Sequence, residues 1–224
     1  MGIWRRDREE ALERERERMM RTLRSYGIRD SRILAAMEAV PRHRFIPGTT
    51  LREAYGDHPI PIGHGQTISQ PYIVARMIEL AQVRSGSRVL DVGTGSGYQA
   101  AVLAEMGAQV HGIEIVSALV TRAQRLLTEL GHIRVEVRYG DGYRGWVEEA
   151  PFDTIIVAAA PPHTPPLLLD QLVVGGRLII PEGPAHGVQA LMVHEREDVD
   201  SVRSWQDTSV CFVPMTGEIT DPGG

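Results

Sequence analysis

Residues 89–101 read VLDVGTGSGYQAA, and this stretch decides the fold. An apolar run typical of a buried strand reaches Asp91, Gly93, Gly95 and Gly97 follow at every second position, and a helical pattern begins at once. Glycines at this spacing let the backbone turn sharply and let a ligand approach without Cβ atoms in its way. Open α/β sheets bind ligands at the carboxyl ends of their strands, so the stretch predicts a binding loop at that edge.

Apolar β-rich runs alternate with helical runs downstream of this loop. The predicted strands cover residues 87–92, 108–114, 134–140, 152–160, 176–181, 190–195 and 209–215. Helices are predicted at 98–106, closed by Gly107, and at 117–130, closed by Gly131. The alternation predicts an α/β fold with a doubly wound, mostly parallel seven-stranded sheet and helices on both faces. The last two runs lack a long helical connection, so we expect an antiparallel hairpin there.

Residues 1–83 differ in pattern, and we expect them to form a helical and loop extension to a Rossmann-like core at 84–224, within one structural domain overall. Arg5–Arg24 is dense in Arg and Glu at helical spacing, which predicts a solvated helix. A second helix is expected at 31–40, capped by Asp30 or Ser31. Five prolines in residues 41–71 predict an irregular segment without a long helix or a central strand, and Pro71 opens the next helix.

Composition narrows the class of protein. The 224 residues are 42% hydrophobic and carry 24 Lys and Arg against 29 Asp and Glu, a formal charge of −5. This balance argues against a protein that coats nucleic acid, because phosphate binding needs clustered cations. The one cysteine, Cys211, allows no disulfide within the chain, and no apolar run resembles a signal peptide or a membrane span. We therefore expect a cytoplasmic enzyme.

The spacing of the glycines discriminates between cofactors. A dinucleotide loop reads G-x-G-x-x-G, but the sixth position counted from Gly93 is Tyr98. The stretch instead reads D-x-G-x-G-x-G, the pattern of methyltransferases that use S-adenosylmethionine. In this interpretation Asp91 takes the ammonium of the ligand and the loop covers its amino-acid tail. No metal is required.

Two later strand ends supply matching carboxylates. Glu114 follows Gly93 by 21 residues and can accept both ribose hydroxyls of the cofactor. Asp141 ends the third predicted strand and can accept from the adenine amino group, with Gly142 giving clearance. Each residue alone fits a turn or a surface carboxylate equally well. Together they stand at the ends of three successive strands, which favours the cofactor site.

The residues at the end of the fourth predicted strand indicate which kind of group accepts the methyl group. Enzymes that methylate nucleic-acid amino groups carry Asn or Asp, two prolines and an aromatic residue there, whereas this chain reads Ala160-Pro161-Pro162-His163. Methylation of pyrimidine carbon 5 needs a cysteine nucleophile near the site. Cys211 lies in the last predicted strand, where we expect it to pack as a small apolar residue. Neither nucleic-acid reaction is favoured.

From Val40 to Ile219 the chain resembles the protein-L-isoaspartate O-methyltransferases. Besides the glycine loop, the resemblance lies in VPRHRFIP (40–47), YGDHPIPIGHGQTISQPYIVARM (55–77), YGDGYRGW (139–146), PFDTIIVAAAPP (151–162), LVVGGRLIIP (172–181) and FVPMTGEI (212–219). General methyltransferases lack the stretch at 62–71, which makes it the most diagnostic. The resemblance implies the class I S-adenosylmethionine methyltransferase fold.

The resemblance also implies a reaction. The family transfers a methyl group from S-adenosylmethionine to the free α-carboxylate of L-isoaspartyl residues, and in some cases D-aspartyl residues, in damaged proteins, and releases S-adenosylhomocysteine. The ester then collapses to a succinimide without the enzyme. A carboxylate with a pKa near 3.5 is already ionised at neutral pH, so no general base is expected.

Site residues follow from the resemblance in the same way. Ser69 is implied to be the catalytic serine, whose hydroxyl orients the substrate carboxylate, although its place before Pro71 also suits a helix cap. Thr67 and Ile68 are implied to line cofactor and substrate through their backbone, and Thr216 to help wall the cleft. Val74 stands where some relatives carry histidine, so any contact from that side chain is absent here.

The sequence allows two other hypotheses of function. One is a methyltransferase for small-molecule or other carboxylates on the same scaffold, and the other is a cofactor-binding regulator without catalysis. The segment at 55–77, within the extension, favours protein repair over the first, and a test of methylation distinguishes the second. The expected partners are damaged proteins, with no nucleic acid and no membrane, and a monomer is expected.

Overall fold

The computed structural model describes residues 2–217, with side chains from residue 6 onward. The helices are α1 (Gly2–Ser25), α2 (Ser31–Ala39), α3 (Leu51–Ala54), α4 (Pro71–Ala81), α5 (Tyr98–Glu105), α6 (Ser117–Glu129) and α7 (Pro166–Asp170). The strands are β1 (Ile60–Gly63), β2 (Gln66–Ile68), β3 (Arg88–Val92), β4 (Gln109–Glu114), β5 (Val135–Tyr139), β6 (Phe152–Val157), β7 (Leu172–Glu182), β8 (Gln189–Asp198) and β9 (Ser201–Val210). Among the described residues, no helix is long and apolar enough to cross a membrane.

The main sheet has seven strands in the order β5-β4-β3-β6-β7-β8-β9. The first five strands in this order run parallel, and β8 and β9 continue the sheet as antiparallel neighbours of β7. This confirms the predicted doubly wound sheet. The strand order reverses between β3 and β6, and such a switch point opens a crevice for ligands at the carboxyl ends of the strands.

The position predicted for the last strand is wrong. β9 spans Ser201–Val210, so only the first two residues of the predicted run at 209–215 belong to it. Its sequence, SVRSWQDTSV, is polar because β9 is an edge strand whose residues are mostly exposed. Residues 211–217 are irregular apart from one bridge between Pro214 and Ala160. Cys211 is consequently exposed and does not pack as a small apolar residue.

The proline-rich stretch at 41–71 is more ordered than predicted. It contains α3, a short 3₁₀ turn at Arg42–Phe45 and the β1–β2 hairpin, which pairs Ile60 with Ile68. Ile60, Ile62 and Ile68 are all buried, which anchors the hairpin to the protein. This strand was not predicted, and the alternation of Ile and Pro at 59–62 fits it because Pro61 lies on its exposed side.

The extension and the sheet share a hydrophobic core on one face of the sheet. One contiguous cluster joins Met19, Leu23 and Met37 of the first two helices to Val89 and Ile156 of the sheet. The opposite face packs a smaller cluster around Phe152 and Leu178. Arg and Glu cover the outer side of α1, with ion pairs one turn apart such as Arg14 with Glu10 at 3.7 Å. The extension is thus packed on the core rather than attached loosely to it.

Candidate active site

A cleft of about 790 Å³ opens at the carboxyl ends of β3, β4 and β6. Its walls include the glycine loop, the residues after β4, β5 and β6, the end of β2, one side of α4, and the C-terminal segment at residues 213–216. The predicted residues that line it are Thr67, Ile68, Ser69, Gly93, Gly95, Glu114, Gly142 and Thr216.

The glycine loop has the conformation its sequence predicts. Gly93 and Gly97 have φ values of 77° and 88°, which residues with a Cβ rarely adopt. A Cβ on Gly97 would also stand 3.3 Å from Ala123 of α6, which is tighter than an ordinary contact, so glycine suits the close packing of the loop on this helix. Gly93 donates a 2.9 Å hydrogen bond to the carbonyl of Ile113, which ties the loop to the end of β4.

Asp91 lies beneath the loop rather than on the cleft wall. Its side chain is fully buried, and one carboxylate oxygen accepts a 2.7 Å hydrogen bond from Gln99 Nε2. The other oxygen, Oδ2, is buried without a hydrogen-bond partner. Burial raises the pKa of Asp91 to about 6 despite the bond from Gln99. Gln99 was not identified from the sequence. It lines the cleft and stands between Asp91 and the interior of the cleft.

Glu114 is held in a single orientation at the end of β4. One carboxylate oxygen accepts from the backbone N–H of Gly95 at 2.8 Å, and the other accepts from that of Val116 at 2.9 Å. The side chain is 6% exposed and lines the cleft. Each oxygen has a second lone pair, so Glu114 can still accept from two hydroxyl groups.

Gly142 lines the cleft, whereas Asp141 stands just outside its lining. The Asp141 carboxylate caps the turn at Gly142–Arg144 by accepting from Tyr143 N at 3.0 Å. A Cβ on Gly142 would lie 2.5 Å from Val92 Cγ1, so this position has no room for a side chain.

Ser69 follows β2 and is held from below by an arginine that sequence reasoning missed. Arg42 is fully buried and donates from Nη2 to the Ser69 carbonyl at 2.8 Å and from Nε to the Ala54 carbonyl at 2.8 Å. Its guanidinium lies 4.8 Å from the centroid of the Tyr98 ring. Burial lowers the pKa of Arg42 and raises that of Tyr98 to about 12. Within the described residues, the Ser69 hydroxyl donates no hydrogen bond that would divert it from the cleft.

A second cleft, of about 840 Å³, adjoins the first. Thr67 and Ser69 line both clefts, so the two clefts meet at these residues. The rest of its lining comes from the start of the hairpin, α4, the loop before β8, and the end of β9 with the residues after it: Pro59, Gln70, Ile73, Val188, Ser209, Val210, Cys211 and Phe212. None of these eight was predicted as a site residue, because no motif or spacing in the sequence links them.

The C-terminal segment closes the first cleft from the side of β6. Ala160 N donates to Val213 O, and Met215 N donates to Ala160 O, both at 2.8 Å. These bonds hold the exposed Thr216 at the cleft. Val74 also lines it and offers only an apolar surface. Glu218 and Ile219, the last residues of the family-like stretch, lie outside the described residues.

Comparison with known proteins agrees with this geometry. A sequence profile of the protein-L-isoaspartate(D-aspartate) O-methyltransferase family matches residues 14–220. The chain is 54% identical over 196 residues to the protein-L-isoaspartate O-methyltransferase of Gloeobacter violaceus, covering 88% of this chain and 95% of that protein. It is 53% identical over 212 residues to the enzyme of that name from Opitutus terrae, covering 94% and 90%.

Solved structures give the same result. A protein-L-isoaspartate O-methyltransferase superposes with a TM-score of 0.84 and 29% identity; the match covers 90% of this chain and 66% of that one. A Plasmodium falciparum structure named for the same activity, in complex with S-adenosyl-L-homocysteine, superposes with a TM-score of 0.77 and 28% identity over 88% and 96% of the two chains. Fold and site define a methyltransferase of the class I S-adenosylmethionine-dependent fold. The chain belongs to the protein-L-isoaspartate(D-aspartate) O-methyltransferase family.

Proposed function

We propose that the protein transfers a methyl group from S-adenosylmethionine to the free α-carboxylate of L-isoaspartyl residues in damaged proteins. The observation that carries the proposal is that Thr67 and Ser69 line two adjoining clefts. A donor in the first cleft and a peptide in the second would meet at Ser69. Membership of the family supports an isoaspartyl peptide as the methyl acceptor.

The residues of the first cleft fit S-adenosylmethionine. The loop from Gly93 to Gly97 leaves room for the amino-acid tail, and Glu114 has an open acceptor position on each oxygen for the ribose hydroxyls. Asp91 adds a buried carboxylate with one partnerless oxygen, which a cationic ligand nearby would stabilise. When bound, S-adenosylmethionine supplies a methyl group on a positively charged sulfur and departs as the neutral thioether S-adenosylhomocysteine.

The chain's own residues then orient and enclose the acceptor. An α-carboxylate is ionised at neutral pH, so its oxygen needs no base to form the new carbon–oxygen bond as the carbon–sulfur bond breaks. The hydroxyl of Ser69 donates a hydrogen bond to the other carboxylate oxygen. This bond fixes the direction in which the carboxylate approaches the methyl group. Ile68 and Val74 line the cleft with apolar groups and exclude water from the reacting atoms. The resulting ester closes to a succinimide without further help from the protein.

A paired-peptide assay tests the proposal. Methyl transfer from labelled S-adenosylmethionine is measured to an isoaspartyl peptide and to the same peptide with a normal aspartyl residue. We expect transfer to the isoaspartyl peptide alone. Equal transfer to both, or transfer to neither by an enzyme that binds S-adenosylhomocysteine, would refute the proposed substrate.

The proposal also includes a monomer in the cytoplasm that needs neither a metal nor nucleic acid. The single cysteine is compatible with a reducing compartment, and the net charge of −5 disfavours binding to a polyanion. Light scattering at assay concentration and activity in the presence of a chelator and a nuclease test these points. A larger species, or loss of activity under either treatment, would refute them.

A further inference from the structure

A shallow groove of about 650 Å³ continues the second cleft toward the N-terminal extension. Its lining comes from α1's end, α4 and β9: Tyr26, Gln70, Tyr72, Ile73, Thr208 and Ser209. Gln70, Ile73 and Ser209 line the second cleft as well, so the groove and the cleft form one continuous surface. A peptide lying in the cleft can therefore extend into this groove.

Tyr26 is 55% exposed, yet its backbone is held firmly. It follows α1, with its N–H bonded to the Thr22 carbonyl at 3.1 Å. Gly27 has a φ of 96°, and Ile28 N donates to Leu23 O at 3.1 Å, the pattern of a glycine-closed helix end. Ile28 is itself buried at 1% exposure. The extension thus presents a large ring to solvent at a fixed place.

Tyr26 and Tyr72 form an aromatic corner, by which we mean these two rings. Their centroids are 5.1 Å apart and their planes meet at 73°, an edge-to-face pair. Tyr72 is fixed in turn, because Asp57 accepts from Tyr72 N at 2.9 Å and from Gln70 Nε2 at 2.8 Å. A fixed pair with one exposed ring is ready to receive a third ring.

The carboxylates near this groove do not favour a positively charged occupant. Asp57 is already bonded to Gln70 and Tyr72. Asp207, which precedes Thr208 on β9, is held by Arg76 through two hydrogen bonds. The charge of Asp207 is therefore neutralised by Arg76, and both oxygens of Asp57 already accept hydrogen bonds within the protein. The aromatic rings are then the feature of the groove that can select an occupant.

We propose, resting on the proposed function, that the aromatic corner is a specificity subsite for an aromatic side chain of the substrate near the isoaspartyl residue. Tyr72 follows Ser69 by three residues, so their Cα atoms are at most about 10 Å apart. An extended peptide covers that span in roughly three residues. The subsite therefore contacts a substrate residue within about three positions of the isoaspartyl residue that is methylated.

The test uses isoaspartyl peptides with an alanine and glycine background. One phenylalanine is placed in turn at each of the three positions before and the three positions after the isoaspartyl residue. The wild-type enzyme is expected to show a KM lower by about fivefold for one or two of these peptides, with kcat unchanged, since an added ring pair is worth up to about tenfold in binding. Tyr26→Ala is expected to remove this preference and to leave the phenylalanine-free peptide unaffected.

Two further variants serve as controls. Tyr26→Phe keeps the ring and should keep the preference, and Ile133→Ala removes a 91% exposed apolar side chain outside both clefts and should also keep it. The phenylalanine-free peptide reports on folding in every variant. If the wild type shows no preference among the peptides, or if Tyr26→Ala retains it, the subsite is refuted while the proposed function stands. If no isoaspartyl peptide is methylated, the proposed function itself fails.

Discussion

Arg42 Nη2 and the carbonyl oxygen of Ser69 are joined by a 2.8 Å hydrogen bond inside the protein. The second bond of Arg42, to Ala54 O, links the same guanidinium to α3. One buried cation therefore fixes the backbone of the residue that faces both clefts. Arg42 touches neither cleft, so its role is to position Ser69.

Replacing Arg42 with lysine should lower kcat for the isoaspartyl peptide by about tenfold or more. An ammonium cannot make both carbonyl bonds and also stack on the Tyr98 ring. The free energy of unfolding should fall by about 2–3 kcal/mol, since hydrogen bonds to a buried charge are lost. The measurement is steady-state kinetics together with denaturant unfolding. Arg44→Lys, at an exposed arginine paired with Glu129, is the control and should change neither quantity measurably. Unchanged kinetics in Arg42→Lys would contradict the positioning role.

Ser69→Ala should lower kcat by about 10- to 100-fold, because one hydrogen bond to a charged acceptor is lost at the reacting centre. The affinity for S-adenosylhomocysteine, measured by calorimetry, should change less than threefold. Ser201→Ala, at an exposed serine that starts β9, is the matched control and should behave as wild type. A large loss of affinity with normal kcat would show that Ser69 serves the donor rather than the acceptor.

Asp91 should make both stability and donor affinity depend on pH. Its pKa is about 6 in the folded protein against 3.8 for an exposed carboxyl, so ionisation is penalised by folding. The free energy of unfolding of the ligand-free protein should therefore fall as pH rises from 4 to above 6, by at most about 3 kcal/mol from this residue. A cationic ligand favours the ionised form, so donor affinity should rise over the same interval.

Asp91→Asn separates the two effects. The ligand-free variant should melt at a higher temperature than wild type at pH 7.5, because the buried charge is gone. Its affinity for S-adenosylhomocysteine should fall about tenfold and lose its rise between pH 5 and 7. Calorimetry and thermal melts at these pH values check both. Wild-type affinity with an unchanged pH profile would exclude any action of Asp91 on the ligand.

Gly142→Ala should weaken binding of S-adenosylhomocysteine and destabilise the protein by about 1–3 kcal/mol, since the new methyl group overlaps Val92 and crowds Met215. Gly131→Ala separates crowding from backbone strain: its φ is 80°, but nothing lies within 4 Å of the added Cβ. That control should lose some stability and keep wild-type affinity. Equal affinity in Gly142→Ala and wild type would contradict the crowding argument.

The sequence predicted the parts of the fold that depend on regular patterns. The glycine loop, the strand tip at Glu114 and the helices after Pro71 and Gly97 follow from spacing, because buried parallel strands and their loops carry strong local signals. β9 was misplaced because an edge strand is polar and the following Phe212–Met215 is apolar without being a strand. An apolar sequence indicates burial but not a strand. In this segment the burial comes from its packing over Ala160.

Sequence patterns could not predict the second cleft or the arginine that positions Ser69. Arg42 stands in PRHRF, where a run of cations suggests a surface, and only the meeting of α3, β2 and Tyr98 makes it buried. Pro59, Ile73 and Ser209 line the second cleft from segments that are far apart in the chain. Their proximity is a property of the tertiary fold, which no single-sequence period encodes.

The sharing of Thr67 and Ser69 by the two clefts has a kinetic consequence. Apart from these two residues, the clefts are lined by different residues, so in the proposed reaction donor and peptide do not compete for the same space. S-adenosylmethionine can then bind first, and the loaded enzyme is ready for the rare damaged residue that reaches the second cleft.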